Sequence, residues 1–227
     1  MGESVERTAA SWELEYAQGR YLDEAPVEFV SDILAACSVA GLIGNAGLYV
    51  GCGNGRNLLP LVLGGLDLVG LDISATAIAQ LRERLPGRAD RLVVGDLGVL
   101  PFDLTYPMVI GIQVFQHGTR EATHEHIRAA QARTDIGGLF CLRVNAIGTD
   151  IHQSHEVVEK TDSGFTIRYT SGSKNGLNVH FFAATELHDL FADKFEPVLP
   201  LRLHSTPRKT PGLGQWSQWE GIWRRIR

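Results

Sequence analysis

The run Leu48-Tyr49-Val50-Gly51-Cys52-Gly53-Asn54-Gly55-Arg56-Asn57 sets three glycines at alternate positions between an apolar stretch and a helical one. Glycines in such a turn let the backbone meet a ligand with no Cβ in the way, and the helix that follows offers free amides. Arg56 stands where a dinucleotide fingerprint wants its third glycine, which disfavours a nicotinamide cofactor. Past the turn, Val69-Gly70-Leu71-Asp72-Ile73 ends a second apolar run in a carboxylate, able to accept both hydroxyls of an adenosine ribose. A third run, Val94-Gly95-Asp96-Leu97, supplies Asp96 for an adenine amino group and Leu97 for the ring.

Other groups point to an acceptor. Phe115-Gln116-His117 closes a fourth run at the edge where open α/β folds bind substrates, so His117 is the candidate base or orienting group. His124 and His126 follow on a polar helix and are expected to be solvated. Residues 163–185 hold Arg168, Lys174 and His180 and no carboxylate, and residues 197–219 hold Arg202, His204, Arg208 and Lys209 and no acid. Arg143 leaves the fifth run toward the same edge, with Asn145 next on its face. In a chain of net charge −5 this imbalance predicts an anion clamp, Arg143 and Arg168 pairing bidentately and Lys174 acting as a point charge.

The elements that must position these residues follow from periodicity. Strand-like runs alternate with helices from Leu48 to Val144, with Ser74 and Thr119 as helix caps. That rhythm predicts βαβ units and a doubly wound parallel sheet. Residues 1–45 read as helical, with an apolar stripe at Val27, Val30, Ile33, Leu34 and Cys37. The rhythm breaks at 156–182, where strand-like pieces are joined by Gly- and Asn-rich turns, so an insertion carrying a hairpin is expected. Strands at 195–203 and 215–226 close the chain. The expected organisation is one domain over 1–227: a helical lid (1–45), a cofactor-binding core (46–146), a substrate cap (147–180) and the rest of the core (181–227).

Composition bounds the class. The 227 residues are 44% hydrophobic and 21% charged, enough for a sizeable core in one domain. A net charge of −5 argues against counterion-driven nucleic-acid binding. No apolar run approaches membrane-spanning length, and the first residues lack the pattern of a signal peptide. Cys37, Cys52 and Cys141 are few and dispersed, which excludes a disulfide framework and a clustered-thiol metal site. A cytoplasmic protein, monomer or homodimer, acting without metal on a small molecule is the expectation.

The three motifs in this order resemble the class I S-adenosylmethionine-dependent methyltransferases, over roughly residues 45–146 and 181–227. The resemblance implies a seven-stranded sheet whose last strand inserts antiparallel. It implies that Gly51, Gly53 and Gly55 lie against the methionine part, with Cys52 and Asn57 in the same turn, and that Asp72 with Ile73 takes the ribose. Asp96 and Leu97 would frame adenine, and Gln113 would face the methionine end. The family commonly has an acid two residues before the first glycine; here it is Tyr49. The pattern Trp12, Tyr16, Tyr21 is similar to the helical lid of the thiopurine and tellurite type, with Trp12 toward cofactor and Tyr16 and Tyr21 toward substrate. Within that type, a phosphonate O-methyltransferase of antibiotic biosynthesis fits the cationic cap. The alternatives are a neutral hydroxyl or an S, N or Te acceptor with His117 as base, an aminopropyl transferase, and an inactive cofactor-binding scaffold.

Overall fold

The computed structural model describes residues 2–227, and side chains from Glu6 onward. Its centre is a seven-stranded sheet in the order β3-β2-β1-β4-β5-β10-β9. The strands are β1 (Ala46–Val50), β2 (Asp67–Asp72), β3 (Leu92–Val94), β4 (Tyr106–Ile112), β5 (Thr134–Asn145), β9 (Phe195–Pro207) and β10 (Gln215–Arg225). The first five are mutually parallel, and β10 is antiparallel to both β5 and β9. The sheet and its antiparallel closing strand are as expected.

The parallel strands read as unbroken apolar runs because both faces are covered. Met108, Ile110 and Ile112 of β4 point to one face, with Phe29, Ile33 and Cys37 of α2 (Phe29–Val39), Leu58 and Leu61 of α3 (Leu58–Leu63), and Ile78 and Leu81 of α4 (Ala75–Arg84). Val109 points to the other, where Ile127 of α5 (Arg120–Ala132) and Leu187 and Phe191 of α6 (Ala184–Phe191) pack on Phe140, Leu142 and Val144. Ser74 and Thr119 cap α4 and α5 as anticipated, each hydroxyl accepting an amide three residues on.

Register decides where the motifs emerge. Val50 lies opposite Leu71 of β2 and Gly111 of β4, and Ile112 lies opposite Arg143 of β5. The residues that follow, Gly51, Asp72 and Gln113, therefore leave the sheet side by side at its carboxyl edge.

Two further elements cover that edge. Helix α1 (Gly2–Ala17) runs across the glycine turn. The expected hairpin is a three-stranded antiparallel sheet of β6 (His155–Thr161), β7 (Gly164–Tyr169) and β8 (Asn178–Phe182). Strand β8 also bridges the core, Val179 to His117 and Phe182 to Ala146. The sheet has its own small apolar cluster of Ile167, Tyr169, Val179 and Phe181.

Candidate active site

The turn after β1 winds through three left-handed glycines, φ +68° at Gly51, +55° at Gly53 and +93° at Gly55, a path open to glycine at no steric cost. Its conformation aims the Gly53 N–H at Asp72, whose Oδ2 accepts it at 2.7 Å while Oδ1 accepts the Ser74 N–H at 2.9 Å. Asp72 is 7% exposed, and burial raises its carboxyl above the usual range despite those two amides. An ionised carboxylate accepts about four hydrogen bonds, so each oxygen keeps a lone pair for a diol. The residues present fit an adenosyl ribose.

Above the turn lies the aromatic lid. A Cβ on Gly53 would strike the Tyr16 hydroxyl. Trp12, Tyr16 and Tyr21 pack with ring centroids 5.9–6.3 Å apart, and Trp12 meets His117 edge-on at 5.2 Å. Tyr21 itself is left-handed, φ +68°, an unfavourable conformation for a bulky residue. The lid is held by polar ties invisible to periodicity. Glu13 accepts the Ala75 N–H at 2.6 Å and the Thr76 N–H at 3.1 Å, capping α4 from sixty residues away. Asn54 of the turn donates to the Arg20 carbonyl, and Gln80 of α4 donates to that of Tyr16.

Loop 171–176 of the cap meets the lid. Ser11 donates to the Ser173 carbonyl, Ser173 donates to Glu15, and the Lys174 ammonium lies 5.6 Å from the Trp12 ring and 6.0 Å from the Tyr169 ring. Burial holds that ammonium's pKa below its ordinary value.

The acceptor end is built on the segment after β4. Gln113 is left-handed, φ +58°, and its N–H donates to the Arg143 carbonyl. The carbonyl of Gln113 accepts Gln116 Nε2 at 2.9 Å. Desolvation pushes His117 down to about 3, so the ring is neutral at physiological pH.

Several expected residues have other surroundings than their sequence context suggested. Arg143 is 5% exposed and its Nε donates to Glu220 Oε1 at 2.8 Å, strand to strand. Glu220 also accepts from Arg202, which reaches Asp32 as well. Arg168 lies half-exposed on the cap, donating to Glu156 and Asn178. Arg168 and Arg202, one from each run without acids, are thus paired with carboxylates outside it. His124 is buried with His180 on the Glu186 carboxylate, at 2.6 and 3.0 Å, and that carboxyl is held down at about 2 by its hydrogen bonds to both. His126 stands edge-on to Phe115, and desolvation takes it to about 4.

The remaining expected residues have local partners too. Leu97 is sunk in the core, and exposed Asp96 caps the Gly98 amide with Oδ1, leaving Oδ2 free. Cys52 is buried against Gly53, its thiol pushed well up by desolvation. Tyr49 is buried and hydrogen-bonded to Asn57, which in turn accepts the Val27 N–H, so both tie down the segment leading to α2. Among the described residues no group of three or more His, Cys, Asp or Glu could hold a metal, and no helix is long and apolar enough to cross a membrane.

Residues 48–138, which span this turn, Asp72, Asp96 and His117, match the family described as a methyltransferase domain. The whole chain superposes on the 1,6-didemethyltoxoflavin-N1-methyltransferase of Burkholderia thailandensis, solved with 1,6-didemethyltoxoflavin and S-adenosylhomocysteine. That match has a TM-score of 0.68 at 19% identity and covers 99% of this chain and 89% of that one. TehB from Haemophilus influenzae matches with a TM-score of 0.61 at 19% identity, over 94% and 67% of the two chains. The glycopeptide N-methyltransferase MtfA matches with a TM-score of 0.56 at 17% identity, over 88% and 97%. At such identities the likeness is one of fold, that of the class I methyltransferases. The chain is also 34% identical over 113 residues to Hemagglutinin 1 of Eikenella corrodens, covering 48% of this chain. It spans only about a third of that curated relative, 36% of its length.

Proposed function

We propose that the chain is a methyltransferase, moving the methyl group of S-adenosylmethionine onto a nitrogen or oxygen of a small molecule enclosed between α1 and the cap. The observation that carries this reading is the Gly53 amide on the Asp72 carboxylate, with Tyr16 directly above. Asp72 would take the ribose through its remaining lone pairs, Asp96 Oδ2 the adenine amino group with Ile73 beside the ring, and the backbone of Gly51 and Gly53 the methionine end. Gln113, left-handed at the strand tip, borders that end. S-adenosylmethionine would supply a sulfonium-bound methyl carbon, its bond to sulfur breaking to leave S-adenosylhomocysteine as the bond to the acceptor heteroatom forms, and the acceptor's proton would pass to solvent. The chain's own task is alignment and exclusion of water, and the aromatic wall of Trp12, Tyr16 and Tyr21 suits that. His117, neutral, accepts a hydrogen bond from the acceptor and fixes its lone pair toward the methyl carbon.

Several neighbours of this fold are named as N-methyltransferases, which supports nitrogen as strongly as oxygen. An anionic acceptor, a phosphonate above all, rested on Arg143 and Arg168, and both are engaged elsewhere. Incubation of the purified chain with methyl-labelled S-adenosylmethionine and pooled small metabolites tests the proposal. Label in a small molecule is the expected result. Label in none of them, or in added nucleic acid or protein only, would overturn it.

A further inference from the structure

Among the described residues, five buried side-chain polar atoms have no hydrogen-bond partner, and three of them, Gln116 Oε1, His117 Nδ1 and Asn145 Oδ1, lie just past the carboxyl ends of β4 and β5. A buried polar atom left unpaired costs about 1–3 kcal/mol, so a cluster of them at one edge asks for a ligand. Their chemistry is one-sided. Gln116 Nε2 donates to the Gln113 carbonyl, a pure acceptor, and this fixes the amide with Oε1 outward. His117 Nδ1 has no partner and accepts a hydrogen bond when the neutral ring carries its proton on Nε2. Gln116 is 4% exposed and Asn145 5%. Strand β8 shuts the segment from the far side, the His180 N–H donating to the Gln116 carbonyl.

Resting on the methyltransferase reading, we propose that the acceptor substrate is an uncharged molecule presenting hydrogen-bond donors, a lactam, amide or ring N–H, which Gln116 Oε1 and His117 Nδ1 recognise and Asn145 Oδ1 supplements. The cations that would favour an anion are absorbed. Arg143 is paired with Glu220 and Arg168 with Glu156, and the charge of Lys174 lies against the Trp12 and Tyr169 rings. An anion brought to Gln116 and His117 would face two lone pairs and no donor. Discrimination follows from the same asymmetry, since a site built to accept from an N–H rejects the analogue lacking it.

The test is a ligand-observed NMR screen of the full chain saturated with S-adenosylhomocysteine. Its panel holds planar lactams with a free N–H, their N-methylated counterparts and carboxylates of equal size. Free lactams are expected to bind at least about tenfold more tightly than their N-methyl partners. That preference is expected to vanish in Gln116→Met and His117→Phe, with affinity for S-adenosylhomocysteine retained as the check on folding. Carboxylates binding best, with loss in Lys174→Met instead, would overturn the proposal in favour of an anionic acceptor. So would equal binding of the methylated and free lactams, or no hit in a chain that still binds S-adenosylhomocysteine. Failure to bind S-adenosylhomocysteine at all would instead overturn the methyltransferase reading beneath it.

Discussion

His117 shows how burial changes the chemistry of a residue whose type is obvious in the sequence. The Phe115-Gln116-His117 run marked it as a base, but desolvation beside the Trp12 ring holds it near 3 and makes it a neutral hydrogen-bond acceptor. Its imidazole resonances should therefore not titrate between pH 5 and 8; an inflexion there would return it to the role of a titrating base. The partner of Arg143 was hidden for a related reason. Its acid, Glu220, is 77 residues away and directly opposite on β10, a juxtaposition that register creates and local composition conceals. Arg143→Met would leave the buried Glu220 carboxylate with Arg202 as its remaining partner, so it should cost about 1–3 kcal/mol in urea unfolding. Arg143→Met combined with Glu220→Leu should recover most of that loss. A single substitution costing under about 1 kcal/mol would show the pair to be dispensable.

At the scale of elements, the strands and helices of the core were legible because their signals are local: apolar runs, a glycine turn, Ser and Thr caps. The third strand of the cap was legible as a strand, but not its place between cap and core. Strand β8 pairs with β7 and bridges the core at Val179 and Phe182, so it reads equally as insertion or as core. The lid's attachment was also hidden, since Glu13 caps a helix far from it in sequence. Glu13→Gln should weaken that cap by about 1 kcal/mol through loss of charge at a helix N-terminus. The consequence is a looser α1, read as faster tryptic cleavage at Arg20 and a higher KM for S-adenosylmethionine than in the parent. Unchanged cleavage would mean that α1 is held by its aromatic contacts alone.

For the whole molecule, acid sensitivity follows from groups that fold with shifted protonation. His117 and His126 are held near 3 and 4, below the 6.5 of a free imidazole. As pH falls below 6.5 the unfolded chain binds protons that the folded one refuses, so stability falls, by at most about 1.4 kcal/mol per pH unit for each histidine. Glu186, held near 2, contributes stability that is complete above its ordinary 4.5 and is lost as pH drops toward 2. Unfolding free energy should thus decline between pH 6.5 and 4.5 through the histidines, against an opposite contribution from the raised Asp72 carboxyl, and His126→Phe, which keeps a ring against Phe115, should flatten that slope. A slope identical in the variant would remove His126 from the account. The doubly wound parallel sheet and the position of the glycine turn were within reach of the sequence because parallel βαβ units admit few arrangements.

The most direct test of the account is calorimetric titration of S-adenosylhomocysteine into the parent chain and into Asp72→Ala. Binding to the parent and a loss of at least about tenfold in the variant are predicted, since the carboxylate that would hold the ribose also fixes the Gly53 amide. No heat with the parent, or equal affinity in the two, would contradict an adenosyl site at the carboxyl ends of β1 and β2.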